Sequence, residues 1–444
     1  MCWAFRERTE SILEGATMLH NLLFKLYFTF IGLIAVCWLI ACMDDLPEVR
    51  GPYLSWKASP KTTITITWES LNNTADNLRW GHTADALDHP VTVTPRKRRD
   101  DMYFHYSFTI TGLSADTRYH YQVNGLQDVP ATFRTAPADR LSPFSFLLYG
   151  DSCEFDATRQ NQHYGIARKM NEVASGLPVG FVISSGDLTP DDPDVYGWDL
   201  HFDAIRHLAD HLPYFTPFGN HDWNRRDPHS HFLSAIWIHE FPEQDSPDGT
   251  VMAFNETSYA FAYGNAYFVF IGYDQIGAPP GSDFTKWLTR ALSFARQHYA
   301  FTFVDMHEPP FDRRDDGYMD NVDVLKNQAP LFHQYDVTAV FAGHNHLFAH
   351  HEISKQVSPD APPVSVTYLI SGGGGQMLRS AHPGVWNNRY GLGYSGKTVF
   401  TRSLHHFVRA DIHPGKMTVT FTVISMDGHV VYGPYTKISG RERP

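Results

Sequence analysis

The stretch Pro217-Phe218-Gly219-Asn220-His221-Asp222 closes an apolar run and leaves an amide, an imidazole and a carboxylate at the mouth of a turn. A glycine at 219 suits that turn, because a residue without Cβ accepts backbone conformations and close approaches that others resist. Alone the stretch says little, since many loops contain Asn, His and Asp. Four further apolar runs end in the same way, in Asp151, Asp187, His307 and the pair His344 and His346. In an open α/β sheet, ligands gather outside the carboxyl ends of the strands. Two aspartates, one asparagine amide and three imidazoles are therefore expected to converge. This mixed set of hard and borderline donors suits two adjacent divalent or trivalent ions better than one, with one Asp able to bridge both.

Outward from that stretch, strand and helix patterns alternate over residues 144–436. Strands are expected at Phe144 to Gly150, Val179 to Ser185, a run ending at Gly219, Phe301 to Met306, Val337 to Ala342 and Val364 to Ile370. Helices are expected where Ile166, Met170 and Val173 recur, from about Tyr196 to His211, near Phe284 to His298 and near Val324 to His333. Gly264-Asn265 reads as a hairpin turn between Tyr259 to Tyr263 and Tyr267 to Tyr273. Gly372-Gly373-Gly374-Gly375 reads as a loop of close approach and lacks the lysine of a nucleotide-binding P-loop. The tail, Phe407 to Ile424, alternates like edge strands.

Residues 47–137 read as all-β. Ile64, Ile66 and Trp68 alternate with threonines, and Tyr119, Tyr121 and Val123 with polar residues, as strands with one buried face do. The segment Leu113 to Tyr119 resembles the tyrosine corner of fibronectin type III and immunoglobulin-like sandwiches. No chemistry is visible here, so this part is expected to position or shield its neighbour. Ala136-Pro137-Ala138-Asp139 reads as a short hinge between the two.

A chain of 444 residues that is 43% hydrophobic and 14% aromatic can bury a large core in two domains. The formal net charge of -12 argues against nucleic acid as the main partner. The one basic run, Arg96 to Arg99, is followed by Asp100 and Asp101 and reads as a solvated loop. Residues 1–42 read as a leader: an apolar run after Lys25 ends in Leu39-Ile40-Ala41-Cys42, which resembles the lipobox of bacterial lipoproteins. Lipidation at Cys42 or an uncleaved membrane anchor would each place the remainder outside the cytoplasm, in the cell envelope or secreted. Cys2, Cys37 and Cys42 lie in that leader, so the exported body would keep only Cys153. A lone thiol there is either buried as a small apolar residue or a metal ligand beside Asp151.

Gly150-Asp151, Gly186-Asp187, Gly219-Asn220-His221-Asp222, Val304-Asp305-Met306-His307 and Gly343-His344-Asn345-His346 resemble, in order, the five motifs of calcineurin-like metallophosphoesterases. The fit is closest to purple acid phosphatases, which also carry an N-terminal fibronectin-like domain. The resemblance implies two β-sheets packed face to face between outer helices. It further implies two metal ions, iron with zinc or manganese. One would be held by Asp151, Asp187 and His346, and the second by a bridging Asp187 with Asn220, His307 and His344. His221 would contact substrate phosphate and protonate the leaving group, with Asp222 available to orient it. An exported hydrolase of small phosphate esters follows, a phosphomonoesterase acting through a metal-activated water. A phosphodiesterase or nucleotidase is the rival enzyme, and an envelope binding module with a structural or decayed metal site the rival from another class.

Two positions depart from the family's pattern. Pro190 stands where purple acid phosphatases have a tyrosine ligand, so that source of colour is missing. Cys153 stands where many relatives have a histidine ligand, and its thiolate would favour zinc or iron. Arg225, Arg226, Arg313 and Arg314 follow motif loops and could meet a substrate anion, but nothing in their spacing demands convergence, and solvated loop charges are the favoured reading. His229, His231, His350, His351, His405 and His406 carry no assigned role.

Overall fold

The computed structural model describes residues 49–97, 103–123, 126–153, 162–190, 195–222, 242, 245–246, 249–315 and 317–439. The leader with its three cysteines, and Arg225, Arg226, His229 and His231, lie outside the described residues. Among the described residues no helix is long and apolar enough to cross a membrane.

An all-β part comes first, in two four-stranded sheets. One has the order β1-β2-β6-β5 and the other β4-β3-β7-β8. The strands are β1 (Val49–Ser55), β2 (Ile64–Ser70), β3 (Asp76–Gly81), β4 (His89–Val93), β5 (Arg96–Lys97), β6 (Phe104–Ile110), β7 (Arg118–Val123) and β8 (Ala131–Arg134). Trp68 stacks on Tyr106 at 5.1 Å, and Tyr119 on Phe133 at 5.5 Å. The Tyr119 hydroxyl oxygen accepts from the Ser114 amide at 2.9 Å, which closes the tyrosine corner.

β2 differs from the one-faced strand its alternation implies, because Thr65, Thr67 and Glu69 are as buried as Ile64, Ile66 and Trp68. The polar face is covered by the neighbouring part of the chain. Arg50 donates to Glu69 Oε2 at 3.0 Å and contacts Asp199 of the helix Val195–Ala209, while His105 Nδ1 lies 2.8 Å from Glu69 Oε1. Trp56 packs on Phe181, Phe215, Phe261 and Tyr263 at ring distances of 5.1–5.7 Å. The expected hinge is likewise pinned. Ala136 donates to Pro60 O and accepts from Asp116 N, both at 2.9 Å, and Lys61 caps Ala138 O at 3.1 Å.

The α/β part holds two larger sheets. A six-stranded sheet runs β11-β10-β9-β23-β24-β25 and a nine-stranded sheet β12-β13-β14-β15-β18-β20-β19-β22-β21. The first uses β9 (Phe144–Tyr149), β10 (Val179–Ser184), β11 (Tyr214–Phe215), β23 (His406–His413), β24 (Thr418–Ser425) and β25 (Val430–Ile438). The second uses β12 (Val251–Ala253), β13 (Tyr259–Tyr263), β14 (Ala266–Ile271), β15 (Phe301–Met306), β18 (Ala339–Ala342), β19 (Phe348–Lys355), β20 (Val364–Ser371), β21 (Val385–Asn387) and β22 (Tyr394–Arg402). A short hairpin pairs β16 (Arg313–Arg314) with β17 (Gly317–Tyr318). Helices are α1 (Gln162–Gly176), α2 (Val195–Ala209), α3 (Asp283–His298), α4 (Val322–Asn327) and α5 (Ala329–Gln334).

The sheets meet face to face through aromatic rings. Phe146 of β9 lies 5.2–5.8 Å from Phe268, Phe303 and Phe341 of the opposite sheet and stacks on Phe181 within its own at 5.4 Å. Each such pair adds about 0.5–1.5 kcal/mol beyond the area it buries.

Three elements differ from their sequence reading. The helix expected over 324–333 is two, because Pro330 has no N–H to continue it and restarts a turn as α5. The run toward Gly219 is ladder-paired only at Tyr214 and Phe215, where Pro213 and Pro217 on either side lack the donor a strand needs. The tail is no edge: β23 lies between β9 and β24, and the edge is β25.

Candidate metal centre

β9, β10 and β11 run parallel in one sheet, as do β14, β15, β18 and β20 in the other. The loops at their carboxyl ends meet, since Asn220 after β11 touches His307 after β15 and His344 after β18. Asp151 follows β9, Asp187 follows β10, Asn220 and His221 follow β11, His307 follows β15, and His344 and His346 follow β18.

These loops turn unusually tightly. Asp151, Asp187, Phe218 and His344 all have φ between 53° and 67°, the left-handed region that non-glycine residues rarely occupy. Phe218, not Gly219, makes the left-handed turn. Gly219 is required for space: a Cβ there would lie 2.1 Å from Asp187 Oδ1. A Cβ on Gly343 or Gly372 would lie 2.4 or 2.8 Å from Asp151 Oδ2, so the glycines clear room around both carboxylates.

The donor atoms crowd one another. Asn220 Oδ1 lies 3.0 Å from His307 Nε2 and 2.9 Å from His344 Nδ1, and His307 Nε2 lies 3.2 Å from Asp187 Oδ2. His346 Nε2 lies 3.5 Å from Asp151 Oδ1. Cys153, Asp187 and His221 form a second compact group, with ligand atoms within 4.8 Å of one another. Asp187 belongs to both groups and is almost fully buried.

Protonation follows the same crowding. Burial, followed by the His307 charge, pushes the His344 imidazole down to about 2. Burial also lowers His346 to about 4, so both present lone pairs. Burial raises the Asp151 carboxyl, and the Asp187 charge adds to the rise. Burial would raise Asp187 too, but the His307 and His221 imidazoles reverse it and keep the carboxyl below its ordinary value. Burial would lower His307 as well, but the Asp187 carboxylate raises it to about 10, so without a metal the cluster keeps a proton that a bound cation would displace, and the residues present fit a metal centre.

Residues 49–136 match the family described as the N-terminal domain of purple acid phosphatase, and residues 144–348 match calcineurin-like phosphoesterase. The chain is a calcineurin-type, purple acid phosphatase-like metallophosphoesterase. It is 22% identical to purple acid phosphatase 21 of Arabidopsis thaliana over 73% of this chain and 70% of that one. It is equally similar, at 22%, to an uncharacterized protein of Mycobacterium tuberculosis over 76% of this chain and 72% of that one. Its fold is shared with a purple acid phosphatase from yellow lupin (Lupinus luteus) seeds, with a TM-score of 0.67 and 17% identity, covering 86% of this chain and 73% of that one. Purple acid phosphatases use a dimetal centre, and the family acts on phosphate esters.

Within this metallophosphoesterase one sequence expectation is corrected. Asp222 does not aim its carboxylate at His221. Its Oδ1 accepts from the amides of Leu188 and Thr189 at 2.7 and 3.0 Å, and its Oδ2 from the Gly219 amide at 2.7 Å. Being fully buried, it fastens the Asp187 loop to the Gly219 loop. His221 is held through its backbone, which donates to Asp187 Oδ1 at 2.9 Å. The Cys153 thiol is buried, accepts from Gln376 at 3.4 Å, and is pushed well up by burial and by the carboxylates of Asp187 and Asp151.

Sequence reasoning missed the supports of this metallophosphoesterase centre. Ser185 Oγ donates to Asp305 Oδ1 at 2.6 Å, and His307 Nδ1 donates to Ser185 O at 2.8 Å, which leaves Nε2 for the centre. Asn345 donates to the buried Asp312 at 2.6 Å. Asp305 and Asn345 sit inside quoted motifs, which was a usable signal. Asp312, on a loop of no distinctive pattern, carried none.

Proposed function

We propose that this protein is an exported two-metal hydrolase of small phosphate monoesters. The reading is carried by the Asp187 carboxylate, which belongs to two compact donor groups, one with His307 and His344 and one with Cys153 and His221. Asp151, Asp187 and His346 would hold one ion, and Asp187, Asn220, His307 and His344 the other. The pair would supply an activated water and neutralise phosphoryl oxygens. Iron with zinc or manganese is the expected combination, and Cys153 is a further candidate ligand that would favour zinc or iron.

The chain's own residues do the rest. His307 and His346, each held through Nδ1 by a backbone carbonyl at 2.8 Å, Ser185 O and Met377 O, keep their Nε2 atoms in place without reorganisation. His221, 26% exposed beside Asp187, is placed to give a proton to the departing alkoxide, a contribution of about 10²–10⁴-fold for a positioned acid. Export rests on the leader and its lipobox-like end, with lipid anchoring at Cys42 as the expected attachment.

Elemental analysis of the purified protein, combined with turnover of an aryl phosphate monoester beside its matched diester, tests the proposal. About two metal equivalents and preferential monoester hydrolysis are expected. Preferential diester hydrolysis would reassign the protein to the phosphodiesterases. Bound metal with no turnover of either ester would leave a binding module.

A further inference from the structure

Arg314 is not the solvated loop charge its sequence context implies. It lies in the β16–β17 hairpin, only 17% exposed, with Nε donating to Asp312 Oδ2 at 2.6 Å. Asp312 is fully buried, accepts from Asn345 Nδ2 through its other oxygen, and has its own amide tied to Asp320 Oδ1 at 2.8 Å. Asn345 stands between His344 and His346. One buried carboxylate thus ties the guanidinium to the loop that carries two imidazoles of the centre.

That bond uses Nε alone. A guanidinium has five N–H donors in a fixed fork, and among the described residues neither terminal nitrogen of Arg314 has a hydrogen-bond partner. The neighbouring cations are differently occupied. Arg313 and Arg389 lie over the Tyr318 ring at 5.2 and 4.0 Å, and Arg379 is exposed. Arg314 is therefore a braced cation with open donors beside a site built for an anion.

We infer that Arg314 binds non-bridging oxygens of the substrate's phosphoryl group and makes dianionic monoesters preferred over diesters. The inference rests on the phosphoesterase reading above. A planar fork matches two terminal phosphoryl oxygens, as arginine does wherever phosphate is recognised in bidentate fashion. A diester has one fewer terminal oxygen and half the charge, so it gains less.

The test compares wild-type, Arg314→Gln and Arg314→Lys proteins, each with metal content measured. Inorganic phosphate binding is read by calorimetry, and kcat and KM are measured for an aryl monoester and its matched diester. Arg314→Gln should weaken phosphate binding and raise the monoester KM about 10–100-fold, change the diester KM several-fold less, and leave metal content unchanged. Arg314→Lys should recover part of the phosphate affinity. Unchanged phosphate affinity, or equal losses for both esters, would overturn the inference. Lost metal in Arg314→Gln would do so too, because it would make Arg314 a brace for the His344 loop. If the wild-type protein binds phosphate through Arg314 yet turns over neither ester, the hydrolase reading fails, and with it the ester preference, while phosphoryl binding by Arg314 stands.

Discussion

Asp187 has to remain an anion while buried, and its neighbours His307 and His221 are what keep it so. Replacing it with Asn keeps the shape and removes the charge shared by both halves of the site. Asp187→Asn should therefore abolish ester turnover and lower metal content while the circular dichroism spectrum stays native. Retained activity would contradict its bridging role. His221 sits at the edge of the same cluster, and His221→Ala should keep the metals but slow substrates with poor leaving groups about 10²-fold or more, sparing activated aryl esters. A uniform loss across leaving groups, with metal lost, would assign that imidazole to the metals instead. Asp222 differs from both. Asp222→Ala leaves three backbone amides without their acceptor, so a stability loss of about 1–3 kcal/mol is expected in a denaturant titration. That these aspartates and histidines belong together was legible, because five motifs at strand ends demand it. That Asp222 points at amides was not legible, because a hydrogen-bond partner 33 or 34 positions away leaves no local pattern.

At the scale of elements, the outer strands are held by a charge network that crosses between the sheets. Glu352 of β19 accepts from Ser365 Oγ at 3.0 Å, from Tyr435 OH at 2.9 Å and from Thr367, and it pairs with His350 at 3.0 Å and Lys437 at 3.6 Å. Tyr435 and Lys437 belong to β25 of the six-stranded sheet, so this carboxylate ties the two layers together. Burial alone would raise its pKa, but the His350 bond, the Lys437 charge and the Thr367 bond hold it at about 2. A carboxyl depressed below its ordinary 4.5 stabilises the fold fully above that pH and loses its contribution as pH falls toward 2. Glu352→Gln should therefore cost about 1–3 kcal/mol near neutral pH. The gap to wild type in thermal melts should narrow steadily between about pH 4.5 and pH 2. A gap independent of pH would mean that the loss comes from packing. Periodicity placed most of these strands, since apolar runs over 144–149, 179–184 and 301–306 permit little else. It misplaced β23 and β24, because alternation records which faces are buried and not which strand lies alongside.

Across the whole molecule, the all-β part is locked to the α/β part by a buried ion cluster. Arg50 sits between Glu69, which is itself held by His105, and Asp199, with its guanidinium 3.8 Å from the Tyr103 ring centroid. Arg50→Met would strand the Glu69 carboxylate away from water. Removing one partner of such a buried pair typically costs about 3–5 kcal/mol. A matching fall in thermal stability is expected, with metal content and kcat kept in the protein that remains folded. Metal removal should act on the whole chain as well. Chelation should lower the melting temperature and re-addition restore it, because ions that bind only the folded cluster shift the equilibrium toward it. The amino-acid sequence by itself determined the order of the five donor loops, the two kinds of architecture and the family, since these rest on residue types and local periods. Tertiary structure decided which groups share a cavity, that Gly219 is needed for room and not for its turn, that the supposed hinge is pinned, and that Arg314 is braced beside the centre. Those are contacts between residues far apart along the chain, and burial and electrostatics act through distance in space, which no local pattern encodes.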